Sequence, residues 1–156
     1  MQNDIIDSKY YLSKAQAWCA LQDRCIFETK RKLTDWECPF EYQDSIIEKL
    51  IEDKFLDEQR YCDSFVRGKF NTKHWGKNKI RYELQSRRLC STQIESSLMQ
   101  IIETDYFSTL DLLLRKKLKD IKDKEESKRK LKLINFARSK GYEYEYISKC
   151  LKHILS

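Results

Sequence analysis

Only three Gly and one Pro occur in the 156 residues. So few turn formers argue against a hairpin-rich sheet, and a charged fraction of 36% supplies long side chains suited to helix surfaces. No apolar run approaches the roughly 20 residues that span a bilayer. The opening "MQNDIIDSKYY" also lacks a basic stretch followed by an apolar one. These absences predict an all-α, cytoplasmic protein with no membrane partner. Histidine is scarce, and His74 and His153 are too isolated to supply ligands or a base. There is no Gly-rich phosphate loop, no Ser/His/Asp set, no H-E-x-x-H and no C-x-x-C knuckle. Catalytic residues, metal and cofactor are therefore all expected to be none. The six cysteines, at 19, 25, 38, 62, 90 and 150, are irregularly spaced. In a cytosolic chain long enough to bury a core they read as buried free thiols. A thiol-based activity through Cys19 or Cys25 would require a lowered pKa.

What the chain does hold is a repeated apolar pattern. Ile80 and Leu84 are followed by Leu89, Ile94, Leu98 and Ile101, and the same order returns 53 residues later as Leu133, Ala137, Tyr142, Ile147, Leu151 and Ile154. Thr29, Leu33, Ile46 and Leu50 repeat it less cleanly, with an insertion near Cys38-Pro39. A period of about 50 residues reads as tandem supersecondary units. Units are expected over 1–56, 57–103 and 104–156, the first the most divergent.

Each unit should hold three short helices. Asp57 is a good N-cap, with Leu56 and Tyr61 at the positions of a hydrophobic staple, and a helix is predicted from about Glu58 to Phe70 with Tyr61, Phe65 and Val66 inward. "STQIESSLMQII" shows one-face helical spacing, and Thr92 with Glu95 has the form of a capping box. "YFSTLDLLLRKKLKDI" places Phe107, Leu110, Leu114, Leu118 and Ile121 on one face. Stacked repeats of this kind predict three tandem three-helix repeats in an elongated body with an extended concave surface.

Charge is uneven. Glu41 to Asp63 holds eight acids and three bases, whereas Arg67 to Arg88 holds eight bases and one acid, and residues 111–132 hold ten bases and five acids. Two basic zones downstream of an acidic one suggest a polarised surface that meets an anionic partner, either nucleic acid or an acidic protein groove. For the later zone, "KDKEESKRKLK", a solvated face of mixed sign is an equal alternative.

"GKNKIRYEL", Gly76 to Leu84, resembles the G-x-x-x-I-x-x-E-L signature of the RecX family of regulatory proteins. "FLDEQRYCDSFV" resembles the segment preceding that signature, and "ETKRKL" and "FARSKGYEYEYI" extend the likeness into the first and third units. There are departures: Arg87-Arg88-Leu89 stands where the family usually has a Lys-Gly pair before the apolar residue, and Lys54 stands where Gly is common. The first removes the Gly expected at a helix end, so the middle helix of the second unit is expected to end differently.

The resemblance implies a non-catalytic modulator of the RecA recombinase. Such a protein is a crescent-like stack of three three-helix repeats that lodges in the groove of the RecA filament on single-stranded DNA and inhibits filament growth, ATPase, strand exchange and coprotease activity, as part of DNA repair and the SOS response. It implies no cofactor and a protein acting as a monomer. Charge alone nominates Arg67, Lys69, Lys73, Lys77, Lys79 and Arg81 as partner contacts, with Arg115, Lys116 and Lys117 as a reserve set. Trp75, beside Gly76 in a loop, either stacks on a partner or packs between helices. Arg60 and Glu83 are read as setting helix geometry. A stand-alone helical protein binding DNA directly through the same zone is the second reading.

Overall fold

The computed structural model describes residues 2–155, the side chain of residue 6 excepted. Among the described residues the regular structure is nine α-helices and no strand: α1 (Gln2–Leu21), α2 (Ile26–Asp35), α3 (Phe40–Glu52), α4 (Glu58–Asn71), α5 (Lys77–Ser86), α6 (Ser91–Leu98), α7 (Glu103–Asp120), α8 (Glu126–Ser139) and α9 (Tyr144–Ile154). Packing is within consecutive triplets, α1 to α3, α4 to α6 and α7 to α9. The repeated apolar positions explain why. Ile80, Leu84, Leu89, Ile94 and Leu98 are buried, as are Leu133, Ala137, Tyr142, Ile147 and Leu151, and Thr29, Leu33, Ile46 and Leu50 in the first triplet. Burying such a row on each helix supplies the stabilisation that short isolated helices lack.

The buried side chains form two clusters. Ala15, Cys19, Leu33, Cys38, Ile46, Ile47, Leu50 and Leu56 make the first. The second runs without a break through the second and third triplets and takes in Cys25 and Phe27 from the start of α2. Besides Cys25 and Phe27, polar groups join the first triplet to the second. Asp23 pairs with Arg60 at 2.7 Å and accepts the Ser64 hydroxyl at 2.7 Å, while the Ile26 amide donates to Glu58 at 2.9 Å. The Arg60 guanidinium also donates to the carbonyls of Lys54 and Phe55, so Arg60 does fix how α4 leaves the preceding chain. Glu83 pairs with Arg87 one turn on, at 3.0 Å.

Three local expectations are corrected. Asp57 caps α4 by accepting the Arg60 amide, but Leu56 belongs to the first cluster and Tyr61 to the second, so they form no staple. Helix α6 begins at Ser91 with Cys90 at the cap position, and Glu95 is held by Arg81, so Thr92 and Glu95 make no capping box. Helix α5 also ends as α8 does, despite lacking a Gly. The Arg88 and Leu89 amides donate to Gln85 and Leu84, the counterpart of Gly141 and Tyr142 donating to Arg138 and Ala137. Arg88 adopts φ 59°, and Glu37 and Lys54 do the same at 62° and 63° behind α2 and α3. An L-residue there costs about 1–2 kcal/mol. The apolar residue that follows the α2 and α5 ends, Cys38 or Leu89, is buried and offsets that cost.

Candidate functional site

Arg67 and Lys69 lie near the end of α4, Lys73 and Trp75 in the turn that follows, and Lys77, Lys79 and Arg81 on the first turns of α5. The turn is built against the third triplet. A Cβ on Gly76 would come within 2.4 Å of the Gly141 carbonyl carbon and the Tyr142 nitrogen, so the two loops touch backbone to backbone. Across the contact the Gly76 amide donates to the Lys140 carbonyl at 2.7 Å and the Asn78 amide to the Gly141 carbonyl at 2.9 Å. The Lys77 amide donates to the Tyr106 hydroxyl at 2.9 Å, and the Tyr142 hydroxyl donates to the His74 carbonyl at 2.9 Å. Tyr106 in turn donates to the Glu143 carboxylate. Burial, and then that carboxylate, raise the Tyr106 phenol above its ordinary value, so it stays protonated. The amides of Gly76, Lys77 and Asn78 are all taken, so the start of α5 is not an open phosphate cradle. Those three amides have nothing left to offer an anion, and the cationic side chains beside them are the groups that can.

Those side chains interleave with aromatic rings. The Lys69 ammonium lies 5.3 Å from the Phe65 ring centre and 4.9 Å from that of Trp75, and Lys79 approaches Trp75 to 4.5 Å. Arg87 lies 5.0 Å from Phe65, and Arg88 and Arg31 lie 5.3 and 5.7 Å from Phe27. Such contacts fix long cationic side chains at a surface while leaving their charge available. Trp75 is half-buried, with its ring edge-on to Phe65, so it both packs between helices and carries two lysines.

The nominated cations thus divide. Lys69, Trp75 and Lys79 come together. Arg67 and Lys73 are exposed; Arg67 approaches the Ser64 hydroxyl at 3.4 Å and helps, behind Ser64 and Arg60, to hold the Asp23 carboxyl low. Lys77 is half-buried, 4.9 Å from the Tyr106 ring. Arg81 is not the free cation that composition suggested. It grips both oxygens of Glu95, at 2.6 and 3.2 Å, and holds that carboxyl below its usual range. On α7, Arg115 pairs with Asp111 at 2.7 Å and Lys117 lies 5.2 Å from Phe136, while Lys116 shares a small groove with His74, Thr109, Leu112 and Leu113.

Sequence reasoning missed Tyr106, Glu143 and the Phe27 cluster. Tyr106 lies in the first turn of α7, where the 53-residue offset leads back to Asp53, ahead of α4, so the repeat pattern had no counterpart for it. Its spacing with Leu110 and Leu114, all three fully buried, was the available signal.

The cysteines are free thiols, five buried as expected, but Cys90 is exposed. Burial raises Cys19 and pushes Cys25 up to about 12, so neither is an activated thiolate. Cys25 instead caps α2, accepting the Glu28 amide at 3.5 Å. Among the described residues no group of three His, Cys, Asp or Glu side chains is placed to hold a metal, and no helix is long and apolar enough to cross a membrane.

Comparison with known proteins gives a consistent picture. Residues 57–98 match the second three-helix domain of RecX and residues 103–151 the third. Regulatory protein RecX of Vibrio parahaemolyticus is 33% identical over 114 residues, which is 70% of this chain and 72% of that protein. Proteins of the same name from Clostridium botulinum strain Eklund 17B and Clostridium tetani are 34% and 30% identical over 73% and 83% of the chain, which spans only 55% and 62% of their lengths. The crystal structure of RecX from Lactobacillus salivarius superposes with a TM-score of 0.86 at 21% identity, covering 96% of this chain and 97% of that one. A second RecX crystal structure superposes with a TM-score of 0.90 at 21% identity, over 96% of this chain and 74% of that one. With two of its three helical triplets matched and relatives at this level of identity, the chain belongs to the RecX family of regulatory proteins.

Proposed function

We propose that this protein is a non-catalytic cytoplasmic regulator that binds the RecA recombinase and its filament on single-stranded DNA, inhibiting filament growth, ATP hydrolysis, strand exchange and coprotease activity. The observation that carries the reading is the cationic surface around Lys69, Trp75 and Lys79, with exposed Arg67 and Lys73 beside it, on a chain of this family. Helical units over 1–56, 57–103 and 104–156 would let a monomer reach across neighbouring subunits of a repetitive partner. The basic face of the second unit meets the anionic groove, and Arg115, Lys116 and Lys117 extend it along α7.

The test is to add the protein to its cognate recombinase on single-stranded DNA and follow ATP hydrolysis. Slowed hydrolysis at stoichiometric ratio is expected, and no effect removes the proposal. The cation and aromatic row from Arg31 to Lys79 favours a second reading, direct binding of single-stranded DNA. Salt separates the two. A protein held by about six phosphate contacts on a single strand loses affinity with a log–log slope of roughly −4, whether or not recombinase is present.

A further inference from the structure

The basic turn of the second unit is held from two sides. The His74 and Trp75 amides bond back to Phe70 and Lys69 at the end of α4, and four further hydrogen bonds tie residues 74–78 to the third unit, through Lys140, Gly141, Tyr106 and Tyr142. Tyr106 is the central member. Its ring is fully buried, lies 5.9 Å from Phe70 at the end of α4 and 5.0 Å from Tyr142, and sits beneath the Lys77 ammonium. Its hydroxyl spans the gap between the Lys77 amide and the Glu143 carboxylate, and among the described residues no other side chain accepts from that amide.

We infer that Tyr106 is a positioning residue for partner recognition, through which the third unit sets the conformation of the cationic turn presented by the second. The recognition surface is then composite, and its geometry depends on the angle at which the two units are joined. Trp75 lies within the clamped segment and Lys79 directly follows it, so a turn released from Tyr106 changes where the Lys69 and Lys79 ammonium groups stand relative to an anionic partner. The inference rests on the function proposed above.

The test uses the full chain. Tyr106→Phe keeps the ring and removes the hydroxyl, leaving the Lys77 amide and the Glu143 carboxylate without that partner. Binding to recombinase filaments on single-stranded DNA is expected to weaken by about three- to tenfold. The Lys77 amide should exchange with solvent faster while amides of α2 in the first unit are unchanged. Tyr142→Phe frees the His74 carbonyl on the same turn and should give the same direction of loss. Leu114→Ala, two turns further along α7 in the buried core, is the control for stability alone. It should lower the melting temperature yet bind like the parent wherever it is fully folded. Parental affinity in both tyrosine variants, or an equal affinity loss in Leu114→Ala, overturns the inference while leaving the proposed function in place. A parent chain that does not bind filaments at all removes that function and the inference with it.

Discussion

Gly76→Ala should be among the most damaging single-methyl additions available to this chain. The φ of Gly76 is −77°, which any residue adopts, so the cost is steric and not conformational. The added methyl would stand 2.4 Å from the Gly141 carbonyl carbon, the Tyr142 nitrogen and, at 2.5 Å, the Gly141 oxygen. All three are backbone atoms and cannot rotate away, so the loops must part by about 1 Å to reach ordinary contact. That displacement stretches the Gly76 to Lys140 and Asn78 to Gly141 hydrogen bonds, each of about 1 kcal/mol. With an overpacking cost of about 1–3 kcal/mol, the total is about 3–5 kcal/mol. Gly68→Ala is the internal control. That glycine lies inside α4 with nothing within 4 Å of its missing Cβ, so Ala there should stabilise by about 0.5–1 kcal/mol. Urea denaturation of both variants beside the parent measures the contrast. A Gly76→Ala protein as stable as the parent would refute the close backbone contact on which the joint between the second and third units depends.

Three further outcomes are expected. Lys54→Gly relieves an L-residue at φ 63° whose side chain is exposed, and should raise stability by about 0.5–1 kcal/mol in the same assay; a loss would show that the left-handed residue carries no cost there. The Asp23 carboxyl is held low, first by the Ser64 hydroxyl and then by Arg60. Its contribution is therefore present above the unfolded value near 4 and lost as pH falls through the lower folded value. Melting temperatures of Asp23→Asn should accordingly differ from the parent by about 1 kcal/mol equivalent at neutral pH and converge in acid. Replacing both Cys19 and Cys25 by Ser should leave filament inhibition intact while lowering stability by about 1–3 kcal/mol, since two buried sites gain hydroxyls. Inhibition lost with stability retained would restore a functional role for those thiols.

Helix number and core were legible because the signal is redundant. Leu98 and Leu151 occupy equivalent positions in a register that every turn of the helix restates, and both are buried. Periodicity could not show how the triplets join, because joints are made by residues outside the repeat. Tyr106 lies in the extra first turns of α7, and Asp23 lies between α1 and α2. Cap chemistry was only half readable. Asp57 needs nothing beyond its own helix, so its role followed from sequence, whereas Glu95 had two suitors and the longer-range one, Arg81, prevailed with two hydrogen bonds. Charge density marked a zone but misread Arg81 within it, since a count of bases cannot show which already face an acid or lie over a ring.

That misreading decides how the cationic face should be probed. Reversing Lys77 and Arg81 looks like a clean pair, four residues apart on one helical face. Arg81→Glu, however, would set a carboxylate against Glu95, which now receives two bonds from the guanidinium, and should cost about 1–2 kcal/mol of stability at this half-exposed site. Lost inhibition in that variant would confuse contact with fold. Arg67 and Lys73 are exposed and in no ion pair among the described residues, and Arg67 adds only a minor part to the field around Asp23, so Arg67→Glu with Lys73→Glu disturbs the fold less than Arg81→Glu does. Stability should stay within about 0.5 kcal/mol of the parent. Against an anionic groove the double reversal should weaken binding by about 2–4 kcal/mol, chiefly through slower association, and the defect should shrink as salt is raised. Measuring association rates with recombinase filaments at two salt concentrations, alongside thermal melts, separates the possibilities. A stable double variant that associates at the parental rate would show the α4 end and its turn to be an ordinary solvated face, and would move the contact to Arg115, Lys116 and Lys117 on α7.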